Sequence, residues 1–432
     1  MNYTQCGSAL ALPYADGIAQ TCVTSPPYYG LRDYGTARWE GGDANCSHEM
    51  RPDGGPKQLT SAGAAGHVHR NCKCGARRID SQIGLEQTPA AYVAQIVAAM
   101  REVWRVLRDD GTLWLNLGDS YAAQRGGTSM PAQTVAGGVG GKGDEAAHRG
   151  MSNGYSNHRN AAAIGYKHKD LMGIPWRVAF ALQDAGWYLR SDIIWAKPNP
   201  MPESVSDRTT KSHEYVFMLA KQPRYFYDAE AIKEKSEGVS GGPFSQATHS
   251  ARRGAQSGGN ETGRPEDNGT RNARSVWNIA TTPYGGAHFA TMPPELARRC
   301  ILAGSSARGQ CPKCGAPWVR RVERRLENTE GWGKASKDHH ANTQGSDAIA
   351  RNGQGRAGDS VSTTTGWAAS CECQAGDPVP QIVLDPFAGS GTTAMCALQA
   401  GRRAIGTELN PKYLRLQDDR TQVTIGLGMV LA

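Results

Sequence analysis

Residues 381–391 read Gln-Ile-Val-Leu-Asp-Pro-Phe-Ala-Gly-Ser-Gly. The apolar run ending at Asp385 predicts a strand and 392–398 (Thr-Thr-Ala-Met-Cys-Ala-Leu) predicts a helix, so Gly389 and Gly391 fall in the turn between them. Glycine there lets the backbone approach a ligand, and the helix N-terminus offers free N–H groups. The next apolar stretch, Ala404-Ile405-Gly406-Thr407, ends on Glu408, where a carboxylate can accept both hydroxyls of a ribose. An acid at Asp385 favours a cationic ligand such as a sulfonium over a pyrophosphate. The stretch Gly389-Ser390-Gly391-Thr392-Thr393-Ala394 also fits a dinucleotide fingerprint, but that reading needs a second mononucleotide half and only 24 residues follow Glu408. A phosphate-binding P-loop fails because Gly141-Lys142 is followed by Gly143.

Working outward, strands and helices alternate. Residues 19–25 predict a strand that ends where Pro26 and Pro27 remove two backbone donors. Apolar spacing predicts an amphipathic helix over 90–107, ended by Asp109-Asp110-Gly111, and a strand over 112–117. Helical spacing returns at 171–185 and 293–303, with buried strands at 191–196 and 215–220. This alternation argues for an α/β fold with a mostly parallel sheet.

The early loop, Thr24-Ser25-Pro26-Pro27-Tyr28-Tyr29-Gly30, has its own chemistry. An exocyclic base amine is a poor nucleophile because its lone pair is delocalised into the ring, so catalysis must hold its N–H hydrogens and let the nitrogen become more tetrahedral. The Ser25 hydroxyl oxygen and the Pro26 carbonyl are acceptors for those hydrogens, and the two prolines fix the loop that carries them. Tyr28 supplies an aromatic face for a base taken out of the duplex. Methylation at cytosine C5 would instead need a thiolate, usually presented after proline, and no cysteine here follows a proline.

The motifs Thr24-Ser25-Pro26-Pro27-Tyr28 and Asp385-Pro386-Phe387-Ala388-Gly389-Ser390-Gly391 resemble the catalytic and cofactor motifs of the beta-class DNA amino-methyltransferases, in the same order along the chain. The resemblance extends through 112–119, 190–200, 212–219 and 288–295, roughly half the chain. It implies a seven-stranded, circularly permuted S-adenosylmethionine-dependent methyltransferase sheet, Rossmann-like in build, with residues 3–7 as a strand beside the loop strand. It also implies that Ser25, Pro26, Pro27 and Tyr28 are catalytic. Asp385, Phe387, Gly389, Gly391 and Glu408 would hold S-adenosylmethionine, and Phe289, Thr291 and Glu295 would complete its pocket. Gly7-Ser8 stands where many relatives carry Gly-Asp, which leaves Ser8 outside the site. Serine at position 25 resembles the cytosine N4 group, whereas adenine N6 enzymes more often have Asp or Asn there. The expected substrate is double-stranded DNA and the favoured target cytosine N4, with adenine N6 as the alternative. A restriction nuclease is a possible partner. A non-catalytic zinc-ribbon DNA-binding protein is the competing class, disfavoured because both motifs are intact.

The chain of 432 residues carries 48 Lys+Arg against 40 Asp+Glu, a net charge of +8 that suits a polyanionic partner. No apolar run approaches the roughly 18 residues of a membrane span, so a cytoplasmic protein with no membrane partner is expected. Seven of the 11 cysteines, with histidines nearby, form clusters of metal-ligand spacing. Cys311 and Cys314 make a C-x2-C knuckle, paired with Cys371 and Cys373; four thiolates satisfy tetrahedral zinc. Cys46, His48, Cys72 and Cys74 suggest a second site, with His67 or His69 as substitutes for His48. Both would be structural, folding insertions too polar to build a core.

The expected organisation is a catalytic half at 1–121, with a possible zinc insertion at 41–80, and a Gly-rich insertion at 122–165. Central elements follow at 166–233, a basic loop for target recognition at 234–280, the cofactor half at 281–304 and 380–432, and a zinc-ribbon insertion at 305–379. Arg252, Arg253, Arg264, Arg271 and Arg274, with Arg149, Arg159, Lys167 and Lys169, are the candidate phosphate contacts. Trp176 and Trp277 read as core aromatics.

Overall fold

The computed structural model describes residues 2–30, 34–48, 72–122, 165–235, 270–282, 291–327 and 359–428. Eight strands form the main sheet: β1 Asn2–Cys6, β2 Ala19–Thr24, β3 Leu107–Leu117, β4 Tyr188–Ala196, β5 His213–Ala220, β6 Val276–Asn278, β7 Ile382–Asp385 and β8 Arg403–Glu408. Their order is β1-β8-β7-β2-β3-β5-β4-β6. Pairing is parallel except where β5 runs antiparallel to both β3 and β4. The permuted seven-stranded methyltransferase sheet is therefore present, and the short β6 adds an eighth strand outside β4. Trp277 on β6 is buried and stacks on Trp114 at 6.5 Å, while Trp176 packs edge-on against Phe217.

Among the described residues five helices accompany the sheet: α1 Pro89–Val106, α2 Ile174–Asp184, α3 Pro294–Gly304, α4 Thr392–Gln399 and α5 Pro411–Gly428. Helix α1 starts where the Thr88 hydroxyl accepts the Ala91 N–H at 3.1 Å, with Pro89 in the first turn. Its apolar face buries Tyr92, Ile96, Met100 and Val103. Strand β2 is buried at every position and β3 over its last seven, as expected for central parallel strands covered on both faces.

Parallel strands need crossover connections, and these are right-handed. The crossover β7–α4–β8 moves outward in one direction and β2–α1–β3 in the other. Their helices therefore lie on opposite faces, and the seam between β7 and β2 is the topological switch point. Ligands of open α/β sheets bind beyond the C-terminal ends of such a seam.

Two expectations change. Strand β1 does not lie beside β2; it pairs with β8, from Asn2↔Ala404 to Cys6↔Glu408. Both neighbouring places of β2 are occupied, by β7 and β3. Nor do Asp109, Asp110 and Gly111 end α1. They lie within β3, and the register shift between Ala19↔Leu107 and Thr21↔Thr112 absorbs them.

The chain divides into two units, and the second comprises Asp228–Ala273 and Val319–Ala368. Its described residues are 228–235, 270–273, 319–327 and 359–368. Within this unit the Arg320 guanidinium holds the buried Asp228 carboxylate, Nη2 to Oδ2 at 2.9 Å, and covers the Trp367 ring at 4.4 Å. The 122–165 insertion, apart from Ala122 and Gly165, lies outside the described residues.

Candidate active site

The two motifs meet at the β7/β2 seam. Thr24, the last residue of β2, donates its hydroxyl to Asp385 Oδ1 at 2.6 Å, across 361 residues of chain. The same oxygen accepts the Phe387 N–H at 3.1 Å. Burial pushes the Asp385 carboxyl above the usual range, against the hydrogen bonds from Thr24, Thr393 and Phe387.

Beyond Asp385 the chain turns through Gly389 and Gly391, at φ 50° and 79°, into α4. A Cβ at Gly391 would stand 2.9 Å from Gln417 Cγ, so helix α5 presses on the turn. The α5 side chains also bind it: Gln417 Nε2 donates to the Gly389 carbonyl at 2.8 Å and Arg420 Nη1 to Ser390 Oγ at 2.8 Å. Glu408 closes the far side. Its Oε2 accepts the Gly389 N–H and its Oε1 the Asn410 N–H, each at 2.8 Å. Burial raises the Glu408 carboxyl too, in spite of those two donors. The Leu409 N–H adds a third backbone donor, and the carboxylate's lone pairs still outnumber these donors.

The loop after β2 ends in a polar relay. Ser25 Oγ lies 3.4 Å from the Tyr28 hydroxyl, which lies 2.5 Å from Glu214 Oε2 and 3.1 Å from Asn116 Oδ1. Asn116 Nδ2 donates to Glu214 at 3.1 Å, and the Lys197 ammonium pairs with the other carboxylate oxygen. Burial, then the Glu214 charge, holds the Tyr28 phenol well above its ordinary value, so it stays a donor. Each hydroxyl thus donates inward, which leaves the Ser25 oxygen as an acceptor. The Tyr28 ring rests on Gly118, where a Cβ would stand 2.5 Å from Cε2, and Tyr92 Oη donates to the Pro27 carbonyl at 3.0 Å.

Asn116, Lys197 and Glu214 were assigned no role by the sequence. A signal existed for one: Asn116 is the polar interruption in the apolar run 113–117. The remaining expected site residues are less joined. Phe387 is half-buried against the core, Thr291 is half-buried, and Glu295 pairs with Arg298 and Arg299 of its own helix α3. That helix reaches α4 through Cys396 Sγ and the Pro294 carbonyl at 3.4 Å. Phe289 lies outside the described residues.

Comparison with known proteins bears on this arrangement. The family model for N6/N4 DNA methylases matches residues 19–310 and 375–418. The chain belongs to that family. The methylase is 34% identical to the Type II methyltransferase M.XycI of Xanthomonas campestris pv. cyanopsidis, over 94% of this chain and 82% of the relative. It is 32% identical to the Type II methyltransferase M.Cfr9I of Citrobacter freundii, again over 94% and 82%. Among solved structures, the PvuII DNA methyltransferase (cytosine-N4-specific) overlays with a TM-score of 0.45 at 13% identity, covering 97% of this chain and 87% of that one. The methylase is thus a DNA methyltransferase of the amino-directed class, and no helix of its described residues is long and apolar enough to cross a membrane.

Both cysteine clusters converge. The ligand atoms of Cys46, His48, Cys72 and Cys74 lie within 4.8 Å of one another, as do those of Cys311, Cys314, Cys371 and Cys373. Backbone groups of Cys314 and Lys313 draw the Cys311 thiol down to about 6, against burial. His67 and His69 fall outside the described residues.

The basic residues expected to contact phosphate are engaged where described. Lys169 pairs with Asp207, Lys167 with Asp170 at 3.6 Å and Arg271 with Glu234 at 3.5 Å. Arg274 offers its carbonyl to Trp277 Nε1 at 2.8 Å. Arg149, Arg159, Arg252, Arg253 and Arg264 lie outside the described residues.

Proposed function

We propose that this methylase transfers a methyl group from S-adenosylmethionine to the N4 amine of a cytosine flipped out of duplex DNA. The observation that carries the reading is the relay from Ser25 through Tyr28 to Glu214, set one residue beyond the Thr24–Asp385 hydrogen bond. It sets a hydrogen-bond acceptor next to the cofactor strand.

S-adenosylmethionine supplies an electrophilic methyl group on a sulfonium and leaves as a neutral thioether. The residues present fit it. Asp385, buried, and Glu408, half-buried, are carboxylates at the ends of adjacent strands, suited to a cation and a ribose, and the Gly389–Gly391 turn carries no side chain to block close backbone approach. Ser25 Oγ and the Pro26 carbonyl accept the two amine hydrogens, which draws the nitrogen lone pair out of conjugation. The Tyr28 ring, held against Gly118, is the aromatic surface on which the base would stack. The amine proton passes to water after transfer, and the enzyme forms no covalent bond to the base.

Serine at position 25 supports cytosine N4 over adenine N6. The Type II methyltransferases among the relatives support a cognate restriction nuclease. The test incubates purified protein with labelled S-adenosylmethionine and varied duplex DNA, then identifies the nucleoside by mass spectrometry of digested product. N4-methylcytosine is expected, with label reduced strongly in Ser25→Ala. N6-methyladenine would overturn the choice of base, and absence of label would favour a non-catalytic DNA-binding protein.

A further inference from the structure

The cluster near the N-terminus sits in a segment with little to hold it. Residues 34–48 and 72–83 contribute one three-residue strand pair, Arg38–Glu40 with Arg77–Ile79. Few of its side chains are buried. Yet its two loops are pressed to backbone contact, since a Cβ at Gly42 would stand 2.5 Å from the Ala76 nitrogen. They are shaped to deliver sulfur and nitrogen. Cys46 N–H closes a turn on the Asp43 carbonyl at 3.1 Å, and Gly75, at φ 87°, closes one on the Cys72 carbonyl at 2.9 Å. His48 takes the left-handed region at φ 48°, unusual for a non-glycine residue, and its ring stacks on Trp39.

The resulting distances are close to those of a tetrahedral metal site, and the thiolate and imidazole donors suit zinc. Cys46 Sγ and Cys72 Sγ are 3.5 Å apart, and Cys74 Sγ is 3.3 Å from His48 Nδ1. Tetrahedral zinc, with bonds of about 2.3 Å to sulfur and about 2.1 Å to nitrogen, requires edges of about 3.8 Å and about 3.6 Å. A disulfide would engage two sulfurs and leave the third thiol and the imidazole without purpose. The second cluster has the same design. Cys311 and Cys314 lie on a knuckle closed by Gly315 N–H to the Cys311 carbonyl at 2.9 Å, and Arg108 Nη1 donates to the Cys314 carbonyl at 3.2 Å.

The first segment also leads to the cofactor strand. Thr36 Oγ1 bonds Asp80 at 2.9 Å and Tyr34 N–H donates to Gln82 Oε1 at 2.7 Å. The Tyr34 carbonyl accepts from Asn410 Nδ2 at 3.0 Å, and Asn410 N–H is one of the donors on Glu408. On the other side Gly30, two residues past Tyr28, donates to the Gly84 carbonyl at 2.8 Å. We propose that the chain carries two structural zinc(II) ions, and that the ion held by Cys46, His48, Cys72 and Cys74 fixes the flap that positions Asn410 and Glu408 for the cofactor ribose. The second half of this proposal rests on the S-adenosylmethionine reading above; the first does not.

The experiment measures zinc in the full-length protein by elemental analysis and cofactor affinity by calorimetry. Two ions per chain are expected, falling to one in Cys72→Ser/Cys74→Ser and to one in Cys371→Ser/Cys373→Ser. The first double variant should bind S-adenosylmethionine about tenfold more weakly. Fewer than two ions in the wild type overturns the sites. Loss of one ion with unchanged affinity overturns the link to Glu408. Should the variants not fold, cobalt(II)-loaded wild type must show tetrahedral thiolate bands of two kinds, one all-sulfur and one containing imidazole; one kind alone overturns the pair. Wild type that holds two ions but binds no S-adenosylmethionine overturns the methyl-transfer reading and leaves the metal sites standing.

Discussion

At the scale of single residues, the site depends on where protons sit. Tyr28 donates to Glu214, so Tyr28→Phe keeps the ring but leaves a carboxylate that has lost one of its three partners. Losing a hydrogen bond to a charged group costs about 1.5–3 kcal/mol. Steady-state kinetics should show kcat down by about tenfold or more, with S-adenosylmethionine affinity unchanged; equal loss in both would remove the relay from catalysis. Asp385 and Glu408 give a pH signature. Burial raises both folded-state values, so the folded protein holds these protons more firmly than the unfolded chain. Their contribution to stability is full below the ordinary carboxylate range, about 4, and is lost as pH rises through the raised values. A cationic ligand reverses this by favouring the ionised forms. The thermal shift produced by S-adenosylmethionine should therefore grow as pH rises above the ordinary carboxylate range, and Asp385→Asn should flatten that growth in scanning fluorimetry. The motifs around Ser25 and Asp385 were legible because each is local. Glu214 and Lys197 were not, because the relay draws on four strands or strand ends and only the sheet brings them together.

At the scale of elements, close approach decides what is tolerated. Gly406 in β8 faces the Asp385 carbonyl, and a Cβ there would stand 2.7 Å from that oxygen, a backbone atom that cannot swing aside. Gly406→Ala should cost about 1–3 kcal/mol in urea denaturation and weaken the cofactor site with it. Thr88→Ala, which removes only the α1 cap, should cost about 1 kcal/mol and leave cofactor affinity as it was. Helix and strand identities followed from hydrophobic period at α1, α2, α3 and the central strands. The short β6 did not, because three residues carry no period. The entry to β3 was read as the helix end because Asp-Asp-Gly breaks the apolar period, while a register shift within a parallel pair leaves no local trace.

At the scale of the whole molecule, α/β alternation and the late cofactor turn made the permuted sheet legible, whereas the place of β1 was decided by competition for neighbours. A five-residue strand shows its tendency to pair but not its partner, and β8 had the free edge. The positive charge of the chain, +8, bears on DNA. Affinity for duplex measured by fluorescence anisotropy should fall linearly on a log-log plot against salt, as counterion release requires. A flat plot would remove phosphate contacts from binding. Lys169 and Arg271, already paired with acids, should contribute little to that slope.

The order β1-β8-β7-β2-β3 also governs how the protein is made. Strand β7 occupies the middle of the sheet but leaves the ribosome after residue 381, long after β2 and β3. During most of synthesis β2 has an open edge where β7 will later insert, on a strand buried along its whole length in the finished molecule. A nascent chain in that state has unpaired backbone groups next to apolar side chains, the combination that chaperones recognise and aggregation exploits. The same delay withholds Asp385 and Glu408 until β7 and β8 have been translated. A chain halted before residue 381 therefore lacks both residues proposed to hold the cofactor.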